Sequence, residues 1–253
     1  MVSSGRKKSS VQTTPRGAAP RNGPSQDDTA DSTAGGSDSA GLPAGKRDAL
    51  RLAELLAARL CHEFSGPAGT LAGAMEIART EPASAAEALD IAAKAAASMA
   101  VRLRLLRAAW AGAAEALDIA ALRGLCAGLP RHVWADLAGL PAEQRYSAAT
   151  AQVLLNVLLL AAESLPRGGV VTLGEAGPDA ALVVPRGQDA AWPPGLAAWM
   201  ADPAPAWRAA TSAAPRGLQG PLTALLAHAA GARLSFAFAA DSEAAPPLLL
   251  RFT

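Results

Sequence analysis

The first regular pattern in the chain is an apolar stripe that recurs every fourth residue. The stripe consists of Leu52, Leu56, Leu60 and Phe64, with Leu55 beside it. This spacing predicts an amphipathic helix that packs through one face. His62 projects roughly 120° from the middle of the stripe and should reach solvent, whereas Glu63 falls inside it. Either a bundle with a hydrated seam or local unwinding before Pro67 would accommodate that carboxylate, and the sequence leaves both open.

The pattern predicts that this helix is the first of two. We expect it over residues 48–80, with an irregularity near Gly66 and Pro67. Ser84 and Glu87 then have the spacing of a capping box, in which the serine hydroxyl accepts from the glutamate N–H. A second helix should follow directly.

The two helices should form an antiparallel hairpin, since only a short turn joins them. The second helix is expected to end near residue 111. Both helices are rich in alanine, so a single hairpin has too little apolar surface to bury. Pairing two hairpins into a four-helix bundle would close a core. We therefore predict a homodimer.

After residue 112 the pattern changes to short strands and helices. Strands are expected at residues 132–137, 170–173, 180–184, 232–239 and 247–252. Helices are expected around residues 122–126 and at residues 148–164 and 220–230, and residues 185–215 are expected to be mainly loop, with one helical turn around Ala197. This order predicts an α/β sandwich, in which a helix layer covers a mixed sheet. With the hairpin, the fold class is α+β.

Composition divides the chain into three parts. Residues 1–45 are rich in Ser, Thr, Gly, Pro and Asp and nearly lack large apolar residues. They cannot bury enough surface to offset the entropy of ordering, so a disordered tail is expected. Residues 46–112 would then be the helical hairpin, and residues 113–253 the α/β domain.

Charge and cysteine content exclude several classes of function. The 253 residues carry 23 basic and 22 acidic side chains, so neither nucleic acid nor an anionic membrane is an expected partner. Cys61 and Cys126 lack zinc-site spacing and indicate a reducing compartment. No apolar run is long enough to span a bilayer, and no apolar stretch typical of a secretory signal follows the N-terminal basic residues. A cytoplasmic protein is expected.

The segment 60–67 has the residue order of a phospho-acceptor site. It reads LCHEFSGP, so that a histidine is followed by an acidic residue, an apolar residue, two small residues and a proline. This order resembles the phospho-acceptor box of two-component histidine kinases and of their phosphotransferase relatives. The alternative interpretation is a solvated or capping histidine with no chemical role.

The segment 156–169 resembles a second kinase motif, the asparagine box of the ATP-binding domain. Asn156, Ala161 and the turn at residues 166–169 match that box. However, Leu160 lies where the family has its magnesium-binding asparagine, and a leucine offers no oxygen to a hard cation. Residues 184–189 follow the next hairpin, and there the aspartate that would bind the adenine amino group is absent.

The segment 217–222 lies where the kinases have a glycine-rich phosphate turn. Pro221 removes a backbone N–H that could bind an anion, so we expect a plain turn before a helix. Residues 48–253 thus resemble a histidine-kinase core with a decayed nucleotide site. That combination resembles the ChpT-type histidine phosphotransferases of alphaproteobacterial cell-cycle phosphorelays. Residues 217–221 together with residues 225–231 are similar to the C-terminal signature of that family.

The resemblance implies what each part of the chain does. Residues 46–112 would be the dimerisation and histidine phosphotransfer domain, and residues 113–253 a degenerate Bergerat-type domain that binds no ATP. A receiver domain carrying a phospho-aspartate would dock on the hairpin and pass its phosphoryl group to His62. A second receiver would then accept the group. The implied partners are receiver domains of response regulators, including that of a hybrid histidine kinase.

The resemblance also assigns the residues around His62. The receiver would bring the magnesium ion, so no cofactor of this chain is implied. Glu63 would orient or polarise the imidazole, or would serve the fold alone. The expected docking residues are Arg59, Phe64, Ser65, Gly66 and Pro67. The small residues Ser65, Gly66, Ala68 and Gly69 would let the loops of a partner approach the backbone closely.

Two other functions stay open. The first is a divergent ATP-dependent histidine kinase, against which Leu160 and the missing adenine-binding aspartate argue. The second is a non-catalytic dimeric interaction module in which His62 is incidental, against which the acceptor box argues. The remaining histidines, His132 and His228, are expected to be structural.

Overall fold

The computed structural model describes residues 44–112, 115–177, 179–237 and 245–252. The predicted N-terminal tail lies outside the described residues, apart from its last two positions, which begin the first helix. Within the described ranges, no helix is long and apolar enough to cross a bilayer. The predicted domain boundary near residue 112 falls in the connection that follows the second helix.

The two N-terminal helices form the expected hairpin. Helix α1 is Ala44–Thr80 and helix α2 is Ala85–Trp110. The expected irregularity near Pro67 is wrong, because α1 continues through that residue without interruption. Proline removes only one helical hydrogen bond, and the regular turns on both sides of this position maintain the helix.

The predicted capping box at the start of α2 is also wrong. The Ser84 side chain makes no capping hydrogen bond, and the residue has helical dihedral angles (φ −101°, ψ −1°). A capping residue needs an extended backbone to direct its hydroxyl at the helix. Here the Ser84 N–H donates to the Glu81 carbonyl at 3.0 Å, and the Ser84 carbonyl accepts from the Ala88 N–H at 3.0 Å. The backbone itself therefore continues the turn into α2.

The C-terminal part is built on a mixed sheet, as predicted. Its elements are β1 (Leu117–Asp118), α3 (Ile119–Cys126), β2 (Val133–Gly139), β3 (Arg145–Tyr146), α4 (Ala148–Glu163), β4 (Gly169–Glu175), β5 (Ala180–Arg186), α5 (Leu196–Ala201), α6 (Pro203–Ser212), α7 (Gln219–Ala229), β6 (Arg233–Phe236) and β7 (Leu248–Arg251). The five-stranded sheet has the order β2-β4-β5-β7-β6. Only β2 and β4 are parallel, with Val133 opposite Gly169, and the other neighbours are antiparallel. The strands β1 and β3 form a separate two-stranded pair.

Residues 185–215 are more helical than expected. The predicted loop instead contains α5 and α6, separated only by Asp202. Its carboxylate accepts from the Ala204 N–H at 2.8 Å, and Pro203 occupies the first helical position. Proline is favoured there because its fixed φ suits a helix and its missing N–H has no helical partner in any case. The prolines therefore begin a helix in this segment.

Helix α4 is the centre of the core. Eleven of its residues are buried, and it contacts α2, α7 and the sheet. The buried set is Ala151, Val153, Leu154, Leu155, Asn156, Val157, Leu158, Leu159, Leu160, Ala161 and Ala162. This confirms the helix predicted at residues 148–164, and the buried position of α4 fixes the hairpin against the C-terminal part.

Helix α2 and the loop after α3 approach each other closely at Gly128. A Cβ at this glycine would lie 2.6 Å from the Val101 carbonyl oxygen and 2.8 Å from the Leu105 Cβ. The Arg102 guanidinium also donates to the Gly128 carbonyl at 3.1 Å. A residue without a side chain is required at such a contact, and the contact places the loop beside the α1–α2 hairpin.

Candidate functional site

His62 lies on the exposed surface of α1, as the helical projection predicts. A short 3-10 turn, Pro215–Gly217, faces it from the C-terminal part. The Arg216 guanidinium reaches the imidazole Nε2 through Nε at 3.1 Å and Nη2 at 2.9 Å. Because a guanidinium can only donate, Nε2 must accept, and the proton of the neutral ring is on Nδ1. The lone pair of Nε2 is therefore directed at the Arg216 guanidinium, and both residues are exposed.

Arg59 lies one helical turn before His62, and it holds the turn that carries Arg216. Its Nη1 donates to the Pro215 carbonyl at 3.2 Å and to the Arg216 carbonyl at 3.4 Å. Its Nη2 forms an ion pair with Glu163. Arg59 is only 5% exposed, so its side chain does not have the accessible position expected of a docking residue. It joins α1 to the end of α4 and to the 3-10 turn instead.

Trp110 and the Glu163 carboxyl both lie against the Arg59 guanidinium. Its Cζ lies 5.4 Å from the ring centroid of Trp110, in a cation–π arrangement. Burial raises the pKa of the Glu163 carboxyl, and the nearby Arg59 cation opposes that rise. Burial has the larger effect, so the Glu163 carboxyl is protonated more readily at this site than it would be in water.

Glu63 is engaged by a different arginine. Its Oε2 accepts from Arg102 Nε at 3.1 Å and Nη2 at 3.0 Å. An ion pair across the hairpin thus accommodates the carboxylate that sequence analysis placed on the apolar stripe, and α1 does not unwind. Among the described residues no hydrogen bond joins Glu63 to His62, so a role for Glu63 in orienting the imidazole stays a prediction.

The other predicted docking residues lie within five positions of His62. Ser65 and Gly66 are exposed, and a Cβ at Gly66 would meet no atom within 4 Å. Phe64 and Pro67 are partly buried and line a cavity of about 590 Å³ between the hairpin and the α3–β2 region. A second cavity of about 360 Å³ contains His62. Glu63 borders both cavities, so the two are adjacent on either side of it.

The segment that resembles the asparagine box of kinases has a structural role in this chain. Asn156 is fully buried, and its Nδ2 donates to the Ala109 carbonyl at 2.6 Å and to the Gln152 carbonyl at 2.9 Å. Its Oδ1 accepts from Gln219 Nε2 at 2.9 Å. Leu160 is buried in the core. These contacts join α2, α4 and α7, and Gln219 begins α7 as the expected turn into a helix requires.

The two remaining histidines lie elsewhere. His132 is exposed in the turn before β2, where its carbonyl accepts from the Gly169 N–H at 2.9 Å. The Nε2 of His228 is 2.9 Å from the Trp199 carbonyl oxygen. Across the described ranges, no three His, Cys, Asp or Glu side chains gather in a group that could hold a metal ion.

Sequence analysis missed Arg216, Glu163 and Arg102. Arg216 is 154 residues from His62, and Glu163 is 104 residues from Arg59. None of the three belongs to a motif or to a regular spacing that includes its partner. An arginine beside a glycine-rich segment is a common surface feature, so only the packing of the helices could identify these contacts.

Comparison with known proteins finds a family model that matches part of the chain and a similar solved structure. Residues 121–242 match the model of the histidine phosphotransferase C-terminal domain. The chain is also similar to the solved structure of a bacterial phosphotransferase, with 22% sequence identity and a TM-score of 0.57 over 80% of this chain and 95% of that one. At this identity the likeness establishes the fold, and it confirms the predicted α+β class. No curated protein matches the chain.

Proposed function

We propose that this chain passes a phosphoryl group through His62 between the aspartates of two receiver domains, and the match of residues 121–242 to the histidine phosphotransferase C-terminal domain supports this function. The family match supports the predicted resemblance to histidine phosphotransferases, and the solved neighbour supports the fold. The observation that carries the assignment of the acceptor is the exposed position of His62 on α1. Arg216 holds the ring in one orientation through its hydrogen bonds to Nε2.

The chemistry that this site supports is nucleophilic. A neutral imidazole nitrogen can attack phosphorus near neutral pH. Transfer from an acyl phosphate also requires stabilisation of the negative charge on the phosphoryl oxygens. Arg216 and the paired arginines Arg59 and Arg102 give the surroundings of His62 a positive balance. A dianionic phospho-aspartate on a receiver complements that balance.

Receiver domains of response regulators are the proposed partners, including one that belongs to a hybrid histidine kinase. The docking surface would comprise the exposed turn of α1 around Ser65 and Gly66 and the adjoining cavity beside Phe64 and Pro67. The receiver would bring magnesium with it. These partners also imply a cytoplasmic location.

A homodimer is proposed from the exposed faces of the hairpin. The exposed stripe on α2 is Leu89, Ala93, Ala96, Ala100 and Leu103. The exposed stripe on α1 is Ala68, Ala72 and Met75. Both have the alternating spacing of three and four residues that helices use when they pack side by side. A second hairpin would cover Leu89 and Leu103, which are 50% and 52% exposed here.

We also propose that the protein does not use ATP as its phosphoryl donor. Support comes from Asn156 and Leu160, which correspond to the nucleotide box and are buried in the core. The ATP-dependent kinase stays the competing function, with the non-catalytic interaction module as the third. A single labelling experiment distinguishes all three.

The experiment measures transfer of labelled phosphoryl groups from a phosphorylated receiver domain. The native protein is compared with His62→Ala and with His132→Ala, a matched control that removes another exposed histidine. Acid-labile, base-stable label should appear on the native protein and on the control but not on His62→Ala. Labelling from magnesium-ATP would establish the kinase instead. No label from either donor would leave the interaction module.

A further inference from the structure

We propose that Arg216 is a phosphoryl-binding residue, which caps Nε2 of unmodified His62 and moves to the phosphoryl oxygens after transfer. The inference rests on the proposed function and adds a catalytic residue to it. Two guanidinium nitrogens lie 2.9 and 3.1 Å from this one ring atom. The same lone pair must point at phosphorus during transfer, so the guanidinium has to leave Nε2 for the reaction to occur.

The exposed position of Arg216 allows that movement. No carboxylate within the described part of the chain forms an ion pair with it, whereas Arg59 and Arg102 are paired with Glu163 and Glu63. Its charge is therefore available to an anion. A guanidinium has five N–H donors in a planar fork, which suits the oxygens of a phosphoryl group.

The transfer step balances without any further reactant. The Nε2 lone pair forms the N–P bond as the bond from phosphorus to the aspartate oxygen breaks, and the carboxylate leaves with the bonding electrons. The ring keeps its proton on Nδ1 and becomes positively charged, while the phosphoryl group keeps two negative charges. Arg216 then exchanges a neutral acceptor, Nε2, for anionic oxygens, and charge-assisted hydrogen bonds of this kind are the stronger ones.

Arg59 acts on this step as a positioning residue. It donates to the carbonyls of Pro215 and Arg216 and so fixes the backbone that carries the moving side chain. Glu163 and Trp110 in turn hold the Arg59 guanidinium. These contacts hold the Arg216 backbone beside His62, and they leave the Arg216 side chain able to change its rotamer.

The test measures the equilibrium between native protein and one phosphorylated receiver, as the fraction of label on His62. Arg216→Ala should lower the equilibrium constant for phospho-His62 formation at least tenfold, because charge-assisted hydrogen bonds to the product are lost. Arg216→Lys should lower this equilibrium constant less than Arg216→Ala does, since lysine supplies a point charge without the planar fork of donors that a guanidinium has. Arg208→Ala, which removes another exposed arginine, should leave it unchanged.

Arg59→Lys tests the positioning role through its coupling to Arg216. It should lower the same equilibrium constant in the native background and have no further effect in the Arg216→Ala background, because it acts through that residue. A purely structural role would change the melting temperature of both backgrounds alike and leave the equilibrium constant of the folded protein unaltered.

The inference is overturned if Arg216→Ala keeps the native equilibrium constant within about twofold, which corresponds to only about 0.4 kcal/mol. It fails separately from the proposed function. If the native protein takes no label from any receiver, the phosphotransferase proposal itself is wrong.

Discussion

Arg216 donates to Nε2 of His62 at 2.9 and 3.1 Å across 154 residues of sequence. One residue belongs to the hairpin and the other to the 3-10 turn before α7. The candidate acceptor site is therefore built by two parts of the chain together. Isolating the hairpin would remove the arginine and leave the imidazole without its fixed partner.

Glu163 makes the stability of the protein depend on pH in a predictable direction. Its pKa is raised above the ordinary value of 4.5 because burial outweighs the attraction of Arg59. The folded chain thus binds this proton more tightly than the unfolded chain does. The resulting stabilisation is fully present below the ordinary pKa and is lost as pH rises through the folded-state pKa.

The variant Glu163→Gln isolates this effect because it cannot titrate. The free energy of unfolding of the native protein, minus that of the variant, should fall as pH rises from about 4 to about 8. Urea denaturation at a series of pH values measures it, and the other carboxyl groups cancel in the difference. A difference that stays constant or increases with pH would contradict the direction of the shift.

Asn156 should be essential for stability although it resembles a nucleotide-binding residue. The variant Asn156→Ala leaves the Ala109 carbonyl without its donor and removes the acceptor at Oδ1 from Gln219. Buried polar groups that lose their partners cost about 1–3 kcal/mol each, so we expect a loss of about 3 kcal/mol in denaturant unfolding. The exposed Gln188→Ala is the control and should change stability by less than about 0.5 kcal/mol. An equal effect of both variants would contradict the structural role.

The two cysteines should differ strongly in their reactivity. Cys61 is exposed beside His62. Burial raises the pKa of Cys126 to about 12, although Arg123 opposes the shift. The thiolate is the reactive form, so a thiol reagent at about pH 8 should modify one cysteine quickly.

Single variants identify the fast thiol. Cys61→Ser should remove the rapid phase of labelling, and Cys126→Ser should retain it. Mass spectrometry of the labelled peptides gives the same assignment independently. Rapid modification of Cys126 in the folded native protein would show that the C-terminal end of α3 opens to solvent.

The proposed dimer depends on the exposed stripe of α2. The double variant Leu89→Glu, Leu103→Glu places two carboxylates on that stripe, where a partner hairpin would bury them at a high desolvation cost. Light scattering should give the mass of a monomer for this variant. Lys94→Glu introduces the same side chain on the opposite side of α2 and should remain dimeric. A native protein that is itself monomeric would refute the proposal.

Several elements could be predicted from the sequence because their cause is local. Apolar residues at every fourth position from Leu52 to Phe64 specify α1, and projection of the sequence onto a helix places His62 at the surface. The continuous apolar run of α4 predicts its burial. The order of helices and strands predicts the mixed sheet, since short connections limit which elements can be neighbours.

Other elements depend on context that local spacing does not contain. The prolines of residues 185–215 suggested a loop, yet Pro203 begins α6 because Asp202 precedes it as an N-cap. Pro67 suggested an interruption, but α1 continues through it. In both cases the effect of a proline depends on the hydrogen bonds around it, which a rule about proline alone does not include.

The amino-acid sequence by itself thus determined the hairpin, the exposed histidine and the class of the C-terminal part. The tertiary structure alone decided that Arg216 meets His62, that Arg59 is buried against Glu163, and that Arg102 pairs with Glu63. The physical reason is the range of the interactions. Helical periodicity relates residues three or four apart, whereas the charged partners of this site are brought together only when α1, α2, α4 and the 3-10 turn pack around one core.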